Sequence, residues 1–148
     1  MTRLLICYII NITDITEDGE DMYLKIDFNS DEAIYIQVKN QIILGIATER
    51  LREGDSLPSV RQLADYIGIN MHTVNKAYTI LKQEGFVKLD RRKGAVIALD
   101  VDKIKTLNQM REELGAVLAR GICKNIRREE VHDLIDQIYD YYTGQCQE

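Results

Sequence analysis

His72, Asn75 and Lys76 recur at the three- and four-residue spacing that aligns side chains on one face of a helix, with Thr73 beside them. The set contains hydrogen-bonding groups and a positive charge but no carboxylate to complete a carboxylate–histidine–nucleophile arrangement. Such groups recognise rather than react. Asparagine can pair two hydrogen bonds with adenine, threonine can meet a thymine methyl group or a phosphate, and lysine suits a phosphate oxygen. Upstream, Ser59 and Arg61 stand where a helix start offers free backbone N–H groups and a favourable dipole to an anion. Downstream, Arg91, Arg92 and Lys93 precede Gly94 in the run DRRKG, a cationic tip suited to the DNA backbone or a narrow minor groove.

Catalysis finds little support in the same residues. The chain has two histidines, His72 and His132, in different segments, with no carboxylate–histidine–nucleophile arrangement, phosphate loop or metal-ligand spacing. Asp133 and Asp136 beside His132 read more simply as a solvated helix face. The reading is therefore of a protein that is not an enzyme, with no catalytic, cofactor-binding or metal-binding residues and no cofactor.

The charge distribution points the same way. Net charge is −5 over 148 residues, which by itself argues against a polyanionic partner. Residues 1–33 carry −6 and residues 100–148 carry −3, whereas residues 34–99 carry ten basic and six acidic side chains, a net +4. The cationic block coincides with the candidate contacts. Cys7, Cys123 and Cys146 are far apart and form no CxxC pair, as expected of a protein kept in a reducing cytoplasm. The apolar run Leu4–Ile10 is too short to span a bilayer and is followed by acidic residues rather than a small-residue cleavage site, so no membrane association is expected.

The elements that must position these residues follow from periodicity and turn chemistry. Ile34, Val38, Ile42 and Leu44–Ile46 predict a helix over about 34–51, with Asp31 and Glu32 favourably placed at its start. Arg52–Leu57 reads as a turn with Gly54 and Asp55 at its tip. After Pro58, Ser59 with Gln62 forms a capping-box pattern opening a second helix that buries Val60, Leu63, Ala64 and Ile67. Gly68 ends that helix in a left-handed conformation, and Asn70 caps a third whose inward face is Val74, Ala77, Tyr78 and Leu81. Small Ala64 and Ala77 allow the two helices to approach closely. Phe86–Leu89 and Ala95–Leu99 read as strands around DRRKG. The fold class is mainly α with a small β-hairpin: a winged helix-turn-helix, whose second helix enters the major groove.

These residues resemble the GntR family of bacterial transcription regulators, through LPSVRQLA (57–64), IGINMHTVNKAY (67–78), LKQEGFV (81–87) and KGAVI (93–97). Only about 49 residues follow Leu99, which is similar to the YtrA-type subfamily with its short helical dimerisation tail. The resemblance implies a homodimeric repressor on a palindromic operator in double-stranded DNA, commonly controlling a neighbouring transporter operon. Many family members carry arginine at the positions matching Met71 and Asn75, and this chain retains only the one matching Arg61, so its target sequence should differ. The family's wing commonly begins with glycine where Arg92 stands here. Expected DNA-binding residues are Ser59, Arg61, Asn70, His72, Thr73, Asn75, Lys76, Arg91, Arg92, Lys93 and Gly94. The competing reading is a protein-interaction module on a winged-helix scaffold without specific DNA binding.

Three regions are expected: 1–30 as an N-terminal extension or arm, 31–99 as the winged helix-turn-helix, and 100–148 as a helical dimerisation region. Met22 opens MYLKIDFNSDEAIYIQ, an arm leading into the first long helix. Residues 1–21 are then either an upstream extension from an early start or a strand at Leu4–Ile10 with a turn near Gly19. In the tail, Ile104, Leu107, Met110, Leu114, Val117 and Leu118 form one stripe; Gly121 weakens the helix, and the chain turns near Lys124–Ile126. A last helix, about 128–142, is expected to bury Val131, Leu134, Ile135, Ile138 and Tyr141 or Tyr142. A two-fold partner would cover these stripes, with Met110, Leu114, Leu118, Ile135 and Ile138 as the dimerisation residues. A small-molecule effector between subunits, against Tyr139, Tyr141 and Tyr142, is a further candidate partner.

Overall fold

The structure, a computed structural model, describes residues 7–11, 23–99 and 102–144. The chain divides into two compact units, residues 1–100 and 101–148. In the first, strands β1 (Cys7–Asn11) and β2 (Tyr23–Asp27) pair antiparallel and lead into helix α1 (Ile34–Ala47). Helices α2 (Val60–Ile67) and α3 (Met71–Gln83) follow, then the antiparallel hairpin of β3 (Val87–Asp90) and β4 (Gly94–Ile97). This is a mainly helical winged helix-turn-helix, as the sequence predicts.

The inward faces meet in one core. Val38 and Ile42 of α1, Leu63, Ala64 and Ile67 of α2, and Val74, Ala77, Tyr78 and Leu81 of α3 are buried together with Val87, Ala95 and Ile97 of the hairpin. Val60 is only half-buried against this cluster. Residues 23–27, expected as part of an arm, instead form a strand whose Leu24 and Ile26 are fully buried. An alternating strand places both on one face, and α1 covers that face. The strand read at Leu4–Ile10 corresponds to β1 at Cys7–Asn11; residues 4–6 and the turn near Gly19 lie outside the described residues.

A buried amide fixes the corner between β2 and α1. Gln37 Nε2 donates to the carbonyls of Asp27 and Glu32, each at 2.9 Å, while its Oε1 accepts the Asp27 N–H at 2.8 Å. The side chain thereby uses both ends of its amide on the backbone of this corner, where the Asp27 carbonyl also accepts the Ser30 N–H at 3.3 Å. Helix α1 stops four residues earlier than predicted. Thr48 turns its hydroxyl back on the Leu44 carbonyl at 2.8 Å, and Glu49 adopts a left-handed φ of 57°. Leu51 is then buried from a loop rather than from the helix.

The turn at 52–57 is also more ordered than its composition indicates. Gly54 N–H donates to the Ile97 carbonyl at 2.9 Å, Ile97 N–H to the Asp55 carbonyl at 2.9 Å, and Leu57 N–H to the Ala95 carbonyl at 2.8 Å. Strand β4 is therefore bonded along both edges, by β3 and by this segment, and Ala95, Val96 and Ile97 are all buried. From there the chain enters Pro58, whose carbonyl accepts a 2.8 Å hydrogen bond from the Tyr78 hydroxyl. Burial pushes the Tyr78 pKa upward, so it remains a donor.

The second unit comprises α4 (Lys103–Cys123) and α5 (Arg128–Gly144). Asp102 caps α4 by accepting the Lys105 N–H at 3.0 Å. Gly121 does not interrupt the helix. Its carbonyl accepts the Lys124 and Ile126 N–H groups, and Asn125 takes the left-handed turn with φ 60°, near the position expected. No residue of α4 or α5 is buried, contrary to the expected burial of Val131, Leu134, Ile135, Ile138 and Tyr141 or Tyr142. Two helices joined by a short turn make no interior of their own. Among the described residues no helix is long and apolar enough to cross a membrane.

Two substitutions test the ties that set this geometry. Gln37→Leu should destabilise the winged unit by about 1–3 kcal/mol in denaturant unfolding, because it removes one hydrogen bond each from the Asp27 N–H and from the Asp27 and Glu32 carbonyls. Tyr78→Phe should cost about 1–2 kcal/mol through the unpaired Pro58 carbonyl. An unchanged unfolding midpoint in either variant would show that the corresponding hydrogen bond carries no net stability.

Candidate nucleic-acid interface

The surface of interest is built on α3. Its buried residues, Val74, Ala77, Tyr78 and Leu81, occupy one side of the helix. His72, Asn75, Lys76 and Thr79 turn away from that side and are exposed, as are Met71 and Lys82 at its edge. Residues one helical turn apart therefore present a continuous row of polar groups beginning at the helix N-terminus. Thr73 lies at the flank and is only half-buried, which leaves it less available than the sequence implies. Thr79, absent from the expected set, shares the exposed face but donates its hydroxyl to the Asn75 carbonyl at 2.8 Å.

Asn70 is the cap of α3. Its Oδ1 accepts the His72 N–H at 2.8 Å, so its main task is structural, with its side-chain NH2 group still able to donate outward. Gly68 closes α2 with φ 75°, a left-handed conformation that a β-carbon would disfavour, and so aims the chain into α3. The start of α2 carries a complete capping box. Ser59 Oγ accepts the Gln62 N–H at 3.2 Å, and Gln62 Oε1 accepts the Ser59 N–H at 3.0 Å. The Ser59 N–H is consequently spent within the protein. What the site offers an anion is the Ser59 hydroxyl proton and the amides of Val60 and Arg61 in the first turn. The Arg61 side chain is exposed beside them.

At the wing tip Asp90 Oδ1 accepts the Arg92 N–H at 2.7 Å and the Lys93 N–H at 2.9 Å. These bonds, Lys93 foremost, hold the Asp90 carboxyl below its usual pKa. Gly94, at φ 75°, completes the reversal. Arg91, Arg92 and Lys93 are all exposed. The tip is thus shaped by an internal carboxylate and does not need glycine at position 92.

Lys76 has a neighbour that the sequence does not reveal. Its Nζ lies 3.8 Å from the ring centroid of Tyr35, the second residue of α1. Farther along α1, Lys39 Nζ pairs with Glu84 Oε1 at 3.2 Å. Nothing in the spacing of Tyr35 identifies it as part of this surface, because only the crossing of α1 and α3 brings the ring under the lysine. The five apolar tail residues form a second feature. Met110, Leu114, Leu118, Ile135 and Ile138 each retain between 37% and 45% exposure, too much for large apolar groups serving an internal core.

Comparison with known proteins agrees with this geometry. The family model described as "Bacterial regulatory proteins, gntR family" matches residues 33–97. The HTH-type transcriptional repressor YtrA of Bacillus subtilis is 31% identical over 121 residues, covering 78% of this chain and 91% of that protein. Among solved structures, the transcriptional antiterminator from Listeria monocytogenes EGD-e superposes with a TM-score of 0.70 at 29% identity, over 83% of this chain and 92% of that one. YtrA from Sulfolobus acidocaldarius, a GntR-family transcription factor, gives 0.57 at 39% identity, over 68% and 97% respectively. Identity at this level across almost the whole of a relative, together with the family match over residues 33–97, means that the chain belongs to the gntR family of bacterial regulatory proteins.

Proposed function

We propose that the protein is a cytoplasmic, homodimeric repressor of the YtrA type that recognises a palindromic operator, with a transporter operon as the expected target. The observation that carries this reading is the exposed polar row of α3, beginning at its capped N-terminus and opposed to a fully buried face. Such a helix, braced by α2 and flanked by a cationic hairpin, suits the major groove. The likeness to a transcriptional repressor over most of both chains supports the regulatory role.

Roles divide by chemistry. Asn75 and His72 read base edges, with Asn75 suited to adenine; Arg61 reaches a guanine or a phosphate. Ser59, Asn70, Thr73 and Lys76 engage the backbone, and Arg91, Arg92, Lys93 and Gly94 place the wing along the adjacent groove. The tail stripes of α4 and α5 bury each other across a two-fold axis, setting the separation of the two reading helices. The tyrosines Tyr139, Tyr141 and Tyr142 border that interface and offer an effector an aromatic surface.

Operator DNA recovered by selection from random duplexes provides the test. Replacing both Arg61 and Asn75 with alanine should weaken binding to it at fixed salt by about tenfold or more while leaving the fold intact. Undiminished affinity would remove these two residues from the readout. A folded protein with no salt-dependent DNA binding would instead favour the protein-interaction module. For the tail, Leu114→Glu with Ile135→Glu should convert a dimer into a monomer in sedimentation and abolish preference for a palindrome over a half-site. A dimer that persists would exclude these stripes as the interface.

A further inference from the structure

A lysine on an exposed helix face ordinarily samples many rotamers, and fixing it on a phosphate costs that freedom. Lys76 is constrained before any ligand arrives, because its ammonium stands 3.8 Å from the centroid of the Tyr35 ring. The ring face attracts one side of the ammonium, while the other N–H donors point away from it. Tyr35 is itself half-buried and packed against the core that α1 shares with α3, so the platform is firm. The remaining cation on this stretch of α1, Lys39, is neutralised by Glu84 and does not compete for the ring.

We propose that Tyr35 is a positioning residue of the nucleic-acid interface: its ring holds the Lys76 ammonium in place for a backbone phosphate, which makes α1 a participant in binding as well as a core helix. The inference rests on the reading of the exposed α3 face as the surface that meets DNA. The aromatic face is what matters, and the phenol hydroxyl is not required. Loss of the ring leaves Lys76 its charge and reach but returns its rotamer freedom.

The experiment uses the full chain and a mixed-sequence DNA duplex, since phosphate contacts do not depend on sequence. Binding is titrated over a range of salt concentrations for wild type, Tyr35→Leu, Tyr35→Phe, Lys76→Gln and the Tyr35→Leu/Lys76→Gln pair. Lys76→Gln should reduce the slope of log affinity against log salt by about 1. Tyr35→Leu should weaken binding about two- to fivefold when Lys76 is present and have no further effect in the Lys76→Gln background. Tyr35→Phe should match wild type, and it remains informative if the leucine variant fails to fold. In the free protein, the upfield ring-current shift of the Lys76 ε-methylene should persist in Tyr35→Phe and vanish in Tyr35→Leu.

An equal loss from Tyr35→Leu in both lysine backgrounds would mean a purely structural role and overturn the proposal. So would a gain in affinity, which would mean that the ring competes with phosphate for the ammonium, or a loss in Tyr35→Phe. Failure of the wild-type protein to bind the duplex at any salt would overturn the DNA-binding reading and this inference together. Binding without coupling between residues 35 and 76 would overturn the inference alone.

Discussion

The hydroxyl of Tyr78 joins the two helices whose relative placement the fold depends on. It reaches from the inward face of α3 to the Pro58 carbonyl at 2.8 Å, just before the capping box that starts α2. The contact is buried, so water cannot substitute readily for either partner, and an unpaired carbonyl there would carry a desolvation penalty. Its effect is geometrical as well as energetic. The start of α2, with the Val60 and Arg61 amides, is tied to the middle of the helix that carries Asn75 and Lys76. Around that link, Ala64 and Ala77 are almost completely buried, where larger side chains would push the helices apart.

The loop before Pro58 extends the same restraint to the wing. Residues 54–57 bond to β4 along the edge that β3 does not occupy, which anchors the hairpin to the approach of α2. The candidate contacts at the α2 start, on α3 and at the wing tip are therefore borne by backbone connected through few, short hydrogen bonds. Apart from half-buried Thr73, their side chains are exposed and their supports are buried, an arrangement suited to presenting donors at fixed spacing to a rigid polyanion. Electrostatics is consistent with this division. The overall charge is negative, but the excess of acid lies outside residues 34–99.

The tail follows a different logic. Helices α4 and α5 have well-formed ends, including the Asp102 cap and the left-handed Asn125, yet no buried side chain. Local chemistry is sufficient to define two helices and their turn but insufficient to give them a core. Apolar stripes of this length are stable in water when another surface covers them, which is why a second copy completes the proposed assembly.

Much of the winged unit was legible from the sequence because its signals are local. Ser59 with Gln62, Gly68 and Asn70 act over a few residues, and the inward faces of α2 and α3 follow from helical period alone. Periodicity likewise separated the exposed His72, Asn75 and Lys76 from buried Val74, Ala77 and Tyr78. Where the local pattern is ambiguous, the outcome differs from it: α1 ends at Ala47, where Thr48 bonds back onto the helix, and residues 23–27 form a core strand rather than an arm. Only the tertiary structure decided which distant groups meet. The Tyr78 hydroxyl on Pro58, the Gln37 amide on Asp27 and Glu32, the 54–57 segment on β4 and the Tyr35 ring beneath Lys76 all depend on how elements cross. A sequence determines helical faces and caps through neighbours on the chain, whereas crossings arise when those faces compete to bury the same core.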